Sequence, residues 1–283
     1  HFHNVLCLSE AKGMDIKMVE ILKEKCIGCG QCVKECFPNC LTLVDGKAHA
    51  DHTCIECGHC YAVCPTNAIC LPEQSEDGVI EFDNSKPTID SELMLNFIKS
   101  RRSIRNYQDK KIQPPVMEHI LEAGRFTPTG GNVQDVHYIF IQENLESFKK
   151  MVWDGLDSVI QGTKQDHTIQ ERYRLILQNL CEAYAGGTGE DHLFFNSPAL
   201  LIVLSNSALN GGLASSNIEL MANAEGLGVL YSGFIQMAIS VNPAACEYLK
   251  IHPEQIKSCM LIGYPNVSFR RTVPRKPTSI QWM

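Results

Sequence analysis

From residue 90 onward, apolar residues recur at the two spacings that separate helix from strand. Leu93, Met94, Phe97 and Ile98 share one helical face behind Asp90, whose side chain suits the capping position. A second helix is predicted from Pro114-Pro115, where proline fits the first turn, with Val116, Ile120 and Leu121 buried. Residues 136–142 read as a strand. Phe148, Val152, Leu156 and Val159 set a helical spacing over residues 145–160. Residues 199–205 are almost continuously apolar, which predicts a strand covered on both faces. Residues 214–227 and, after Pro243, residues 244–251 are predicted helices, and 259–262 a last buried strand. This order predicts an α+β domain, with helices around a mainly antiparallel sheet.

Before residue 72 the pattern is one of cysteines. Cys26, Cys29, Cys32 and Cys36 follow a C-x-x-C-x-x-C-x-x-x-C spacing, and Cys54, Cys57, Cys60 and Cys64 repeat it 28 positions later, closed by Pro65. Three thiolates from a short loop and a fourth from beyond it can wrap a cubane cluster. Zinc usually takes two separated pairs, and three thiolates at two-residue gaps would strand ligands. A disulfide framework belongs to small secreted chains. The runs therefore predict iron–sulfur sites. The first departs in one detail: Phe37 follows Cys36, and the proline comes one place late as Pro38. Cys40 lies close enough to compete as a ligand, but its counterpart in the repeat is Ala68, which favours a small buried core residue. His59 beside Cys60 is read as an exposed polar residue before a cluster-tuning one.

Composition changes this picture in three ways. A chain of 283 residues far exceeds the cysteine module, so a second domain of about 200 residues is expected. A net charge of −7, from 25 basic and 32 acidic residues, argues against nucleic acid or an anionic membrane as partner. No apolar run reaches the roughly 18 residues of a membrane span. The first 17 residues lack the charged n-region and apolar stretch of a secretory signal and are read as a native arm or a cloning remnant. Six further cysteines, Cys7, Cys40, Cys70, Cys181, Cys246 and Cys259, are scattered, which predicts reduced thiols in a cytoplasmic protein. The polar stretch Pro72–Gly78 breaks the chain. The expected organisation is an arm at 1–17, a cysteine module at 18–75, a linker at 76–87 and a large domain at 88–283.

The large domain carries two basic groups in an acidic chain: Arg101, Arg102, Ser103 and Arg105, then Arg270, Arg271, Arg275 and Lys276. Guanidinium forks and a hydroxyl suit phosphate oxygens, while a solvated charged face is the plainer reading. Between them, Thr127-Pro128-Thr129-Gly130-Gly131-Asn132-Val133-Gln134 offers two permissive glycines and several polar groups, though an ordinary turn has the same composition.

Residues 20–75 resemble a bacterial two-[4Fe–4S] ferredoxin. That resemblance implies crossed ligation, with Cys26, Cys29, Cys32 and Cys64 on one cluster and Cys54, Cys57, Cys60 and Cys36 on the other. The ordered set Arg-Arg-Ser-x-Arg, Pro-Thr-Gly-Gly-Asn-x-Gln, Gly226–Gly233, Gly263-Tyr264-Pro265 and Pro274-Arg275-Lys276-Pro277 is similar to the nitroreductase family of FMN flavoproteins over residues 90–283. The whole looks like a ferredoxin–nitroreductase fusion. The resemblance implies FMN phosphate and ribityl contacts from Arg101, Ser103 and Arg105, with Arg102 at a variable place. Arg275 and Lys276 would close the phosphate. Pro128, Thr129, Gly130 and Asn132 would reach the flavin of a partner subunit, and Tyr231, Ser232 and Gly233 would lie along the isoalloxazine. Family members are homodimers with FMN at the interface. Many carry Pro-Trp where this chain has Asp135-Val136.

The resemblance implies an iron–sulfur flavoprotein oxidoreductase in which the flavin carries the chemistry and no side chain is assigned as nucleophile or base. Nitroaromatics, quinones or similar conjugated compounds are the expected small-molecule acceptors, with ferredoxin or NAD(P)H as donor. The glycines at 226–233 do not give a dinucleotide fingerprint, and Gly186–Gly189 reads as a flexible loop. Two alternatives remain open: a reductase of another unsaturated or halogenated metabolite, and a redox sensor or electron-transfer module without turnover.

Overall fold

The computed structural model describes residues 19–51, 54–82, 87–163, 171–186 and 191–283. The expected arm at 1–17 and most of the Gly186–Gly189 loop lie outside these residues. The chain forms two compact units. One takes residues up to 87 together with 130–133; the other takes 88–129 and 134–283.

The first unit is a doubled ββ-and-helix arrangement. Strand β1 (Glu20–Ile21) precedes helix α1 (Gln31–Lys34) and the hairpin of β2 (Leu41–Val44) with β3 (Lys47–Ala50). Helix α2 (His59–Val63) and β4 (Ile69–Cys70) follow, and β4 pairs antiparallel with β1. Both short helices begin at a glycine in the left-handed region, Gly30 at φ 73° and Gly58 at φ 74°. Gly28 is also left-handed, and a Cβ there would meet the Gly46 carbonyl oxygen. The turns repeat too, with Asn39 and Asn67 both at positive φ.

The second unit begins with α3 (Ser91–Ser100), capped by Asp90, which accepts from the Leu93 N–H at 2.8 Å. The predicted apolar face of α3 is present but only partly covered among the described residues: none of its residues is buried, Met94 and Phe97 are half-buried, and Leu93 and Ile98 are exposed. Helix α4 (Pro114–Arg125) starts at the predicted prolines. It buries Met117, Ile120 and Gly124, whereas the expected Val116 and Leu121 are half-buried at the margin of the core. Strand β5 (His137–Ile141) leads into α5 (Leu145–Thr163), then α6 (Glu171–Ala185), which the apolar spacing did not reveal. Strand β6 (Ala199–Leu204) is buried at all six positions. Helix α7 (Ala208–Ala224) starts six residues before the predicted point because Ser207 caps it, accepting from the Asn210 N–H. Strand β7 (Gly228–Tyr231), α8 (Gly233–Val241), α9 (Pro243–Leu249) and β8 (Ile256–Gly263) complete the unit.

The sheet runs β5-β6-β8-β7, antiparallel throughout. Its two faces feed two cores. Leu200, Ile202 and Leu261 pack with Phe148, Leu156, Phe194 and Ile235 on one side. Leu201, Val203, Met260 and Ile262 pack with Ile120 and Ile218 on the other. This is why β6 reads as an unbroken apolar run.

Cysteine chemistry departs from expectation at one position. Cys70 is disulfide-bonded, whereas the twelve other described cysteines, Cys181, Cys246 and Cys259 among them, are free. Which thiols meet depends on the three-dimensional path, and scattered spacing does not report it.

Candidate functional site

In the first unit the two thiol sets separate in the crossed pattern. Cys26, Cys29, Cys32 and Cys64 line one void together with Gly28, Gly30 and Ala68. Cys36, Cys54, Cys57 and Cys60 line a second, with Pro38, Cys40 and Gly58. Each fourth cysteine thus sits with the other run. No three Cys, His, Asp or Glu side chains among the described residues converge as on a single metal ion. Four thiols around a void suit a cluster with iron at several corners, not a lone zinc.

Main-chain N–H groups point at the sulfurs: Ala48 to Cys26 Sγ at 3.4 Å, Glu56 to Cys54 Sγ at 3.2 Å and Ala68 to Cys64 Sγ at 3.2 Å. N–H donation from Ala48 and Gly28 holds the Cys26 thiol below its ordinary pKa, favouring the thiolate a metal binds. His59 is exposed, its Nδ1 3.3 Å from the Cys57 carbonyl oxygen.

In the second unit the basic segment at 101–107 is extended and hung on the edge of the sheet. The Ile104 N–H donates to Val229 O at 3.1 Å, and Tyr107 bridges Pro265. Ile104 packs onto Gly228 so closely that a Cβ at 228 would meet its Cγ1. The Gly226-Leu227-Gly228 stretch is therefore structural: Gly226, at φ 76°, follows the end of α7, and Gly228 admits Ile104.

This packing turns Arg105 outward into a cavity of about 850 Å³. Tyr231, Ser232 and Gly233 line the same cavity, so three of the residues expected along the isoalloxazine meet one expected near the phosphate and ribityl chain. Ser232 caps α8, and its own N–H is donated to Cys259 O at 2.8 Å. Gly233 opens α8, where helix geometry leaves N–H groups without intrahelical partners and favours negative charge.

The remaining walls are mostly apolar and aromatic, with Tyr173, Ile176 and Leu180 from α6, Phe195, and Phe234 and Met237 from α8; His192 is the one further polar side chain among the described lining residues. Tyr173 and Phe234 meet edge to face, with centroids 6.2 Å apart. The sequence reading missed all of these. The i, i+3, i+7 spacing of 173, 176 and 180 was the available signal, diluted because α6 is polar elsewhere.

Arg101 has a different engagement. Its Nη1 donates to Glu219 Oε1 at 2.7 Å, and the Glu219 side chain is only 9% exposed. Burial pushes the Glu219 carboxyl above the usual range, and Arg101 pulls it back. Tyr231, beside it, donates its hydroxyl to Ser215 O at 2.9 Å. Arg102 and Ser103 are half-buried and do not line the cavity, and neither do Arg275 and Lys276 on the exposed C-terminal stretch.

The loop at 127–134 is also divided. Thr129 Oγ1 accepts from the Gln134 N–H at 3.0 Å. Gly130–Val133 falls in the first unit, where Asn132 Nδ2 donates to the Glu56 carbonyl at 2.9 Å. Asp135 accepts from Ser205 Oγ, the Asn206 N–H and Asn210 Nδ2, each at 2.8 Å. Partial burial acts to raise its carboxyl pKa, but those three bonds hold it below the usual range. Asp135 therefore ties β5 to the start of α7.

Comparison with known proteins gives both parts a place. A family model described as the nitroreductase family matches residues 98–264, and one described as a 4Fe-4S dicluster domain matches residues 25–68. A candidate NADH dehydrogenase/NAD(P)H nitroreductase of Methanothermobacter thermautotrophicus is 25% identical over 61% of this chain and 77% of its own length. A protein of the same name from Archaeoglobus fulgidus is 42% identical over 21% of this chain, and the match spans only 34% of that relative's length. Among solved structures, a nitroreductase with bound FMN from Bacteroides fragilis aligns at a TM-score of 0.52 and 18% identity, over 66% of this chain and 98% of its own. A BluB-like flavoprotein from Clostridium difficile aligns at 0.52 and 14%, over 66% and 99%. At those identities the structural likeness speaks for the fold.

Proposed function

The chain belongs to the nitroreductase family and carries a 4Fe-4S dicluster module ahead of that domain; from that premise we propose that it is an FMN-dependent oxidoreductase coupling two [4Fe–4S] clusters to the reduction of a flat conjugated acceptor such as a nitroaromatic or a quinone. The observation that carries this reading is the joint lining of one large cavity by Arg105 and Tyr231–Gly233. Its volume lies within the range of small-molecule and cofactor sites.

The residues present fit the group. Arg105 supplies a charge for the phosphate and ribityl end. The N–H of Gly233, at the start of α8, would serve as a donor to the electron-rich edge of the ring. The aromatic and aliphatic walls exclude water from a flat ligand. Arg101 keeps further guanidinium N–H groups beyond the one given to Glu219, so it remains available to phosphate. Bound FMN can exchange one electron or two, which is what joins one-electron clusters to a two-electron acceptor.

The reading includes a homodimer. It is supported by apolar surface uncovered within the chain: Leu93 and Ile98 on α3, Leu209 and Leu213 on α7, and Phe269 and Trp282 on the C-terminal stretch. In it Pro128, Thr129, Gly130 and Asn132 serve the partner's site, and Arg102, Ser103, Arg275 and Lys276 complete the phosphate pocket. Ferredoxin or NAD(P)H is the donor, with no role for nucleic acid. Among the described residues no helix is long and apolar enough to cross a membrane. The twelve free cysteines among the described residues support a cytoplasmic setting, and the disulfide at Cys70 counts against it.

The test is anaerobic. The full chain, loaded with iron, sulfide and FMN, is mixed with reduced ferredoxin, NADH or NADPH, and flavin and cluster absorbance are followed before and after a nitroaromatic or quinone is added. Turnover with at least one donor is expected. Reduction of the cofactors without turnover across the acceptor panel would replace the enzyme reading with that of a sensor.

A further inference from the structure

The two cluster sites are not equal in sulfur. The first void is lined by four cysteines, and the second by five, because Cys40 lies on its wall beside Cys36, Cys54, Cys57 and Cys60. Cys40 is 2% exposed, and its Sγ is 3.4 Å from Cys36 Sγ. A tetrahedral metal–thiolate centre with bonds of about 2.3 Å holds neighbouring sulfurs roughly 3.8 Å apart. Cys36 and Cys40 are therefore near the separation of two ligands on one iron.

The backbone explains the placement. Asn39, at φ 58°, makes the left-handed turn that Asn67 makes in the repeat, and the Asn39 N–H closes it on Cys36 O at 3.0 Å. The turn directs residue 40 inward as its counterpart directs residue 68. There the buried side chain is alanine, and the main-chain N–H of Ala68 bonds the cluster-side sulfur of Cys64. A sulfur in place of a methyl at this position faces the cluster void.

We infer that Cys40 is a reserve ligand of the second cluster, able to replace Cys36 on its iron. The inference rests on the crossed assignment of Cys36 to that cluster. The exchange balances without a redox partner. The Cys36 sulfur–iron bond breaks, a Cys40 sulfur–iron bond forms, and the proton leaving the Cys40 thiol passes to the Cys36 sulfur beside it. No electron is gained or lost.

The test uses the full chain, reconstituted anaerobically with ferrous iron and sulfide. Iron per chain and the electron paramagnetic resonance spectrum of the reduced protein are the readouts. Wild type and Cys40→Ala should each hold about eight irons, two four-iron clusters. Cys36→Ala should keep about eight while one cluster's signal shifts, because its fourth ligand has changed. Cys36→Ala/Cys40→Ala should fall to about seven or fewer, since a corner iron then lacks a thiolate.

The first site supplies the converse. Among the described residues no fifth cysteine lines the first void, so Cys64→Ala should lose iron; Cys64→Ala/Ala68→Cys should regain it. Equal iron loss in Cys36→Ala and the double variant would overturn the reserve role and leave Cys40 a core residue. Failure of Ala68→Cys to restore iron would overturn it as well, by showing that sulfur at this place in the turn does not reach. Full iron in Cys36→Ala/Cys40→Ala would be a different failure, that of the assignment of Cys36 itself.

Discussion

Replacing Arg101 by alanine should do more than weaken a cofactor. The Arg101–Glu219 contact is 2.7 Å, and the carboxylate side is nearly dry, at 9% exposure against 34% for the arginine. Removing one partner of a buried ion pair costs about 3–5 kcal/mol, because the other charge is left unpaired. Partial exposure of Arg101 screens the pair and moves the figure toward about 3 kcal/mol. For a domain of this size that corresponds to a fall in Tm of roughly 6–12 °C.

The loss should also depend on pH. Burial raises the Glu219 pKa in the native protein, and Arg101 lowers it. Without Arg101 it rises further. An acid whose folded pKa exceeds its unfolded value favours the native state at low pH, and this contribution is lost as pH rises through the folded pKa. The destabilisation of Arg101→Ala should therefore be largest above neutrality and shrink toward pH 5. Arg101→Ala/Glu219→Leu should recover most of the stability, since an apolar pair of similar bulk replaces the buried ions at little cost. Both variants should bind FMN more weakly than wild type, because both lack the guanidinium. Thermal melts at pH 5 and pH 8, with FMN titrations, separate the two effects. A double variant no more stable than Arg101→Ala would refute the argument from an unpaired buried carboxylate.

Other outcomes follow from the same geometry. Arg105→Ala should weaken FMN binding by about 1.5–3 kcal/mol, the range for hydrogen bonds to charged groups, with little change in Tm. Lys150→Ala, on an exposed pair with Asp154, is the control, and equal FMN affinity in the two would detach the cavity from the phosphate. Asp135→Ala removes the acceptor of three hydrogen bonds and should cost about 2–4 kcal/mol of stability. Its depressed pKa means the wild-type contribution is present above the usual carboxylate range and is lost as pH falls through the folded value; a wild-type-minus-variant difference that grows on acidification would contradict this. Gly228→Ala places a methyl against Ile104 and should cost about 1–3 kcal/mol as overpacking, with weaker FMN binding as the 101–105 segment shifts. A chain beginning at Thr88 should keep FMN and two-electron activity while losing activity with donors that reduce the clusters; equal rates with reduced ferredoxin would take the clusters off the catalytic path.

The sequence alone determined what rests on short-range chemistry. Cysteine spacing announces a dicluster module because the loop itself brings three thiols together, and the 28-residue repeat supplies the second set. The run at 199–205 reads as a doubly covered strand because both faces of β6 pack against helices. Asp90 and Pro114 mark helix starts because capping and the first helical turn are local.

Tertiary structure decided everything that depends on residues far apart in the chain. Arg101 looks like a free phosphate ligand until α7 brings Glu219 to it, 118 positions later. Asp135 looks like a missing proline until the starts of α7 and β5 meet around its carboxylate. The aromatic wall from α6 carries a weak helical signal, because a helix that lines a cavity with three residues needs no broad apolar face. Cys40 and Ala68 occupy equal places in a repeat, and the folded turn brings Cys40 to the wall of the void lined by Cys36, Cys54, Cys57 and Cys60. A side chain's chemistry is written in the sequence, but its partner is set by packing.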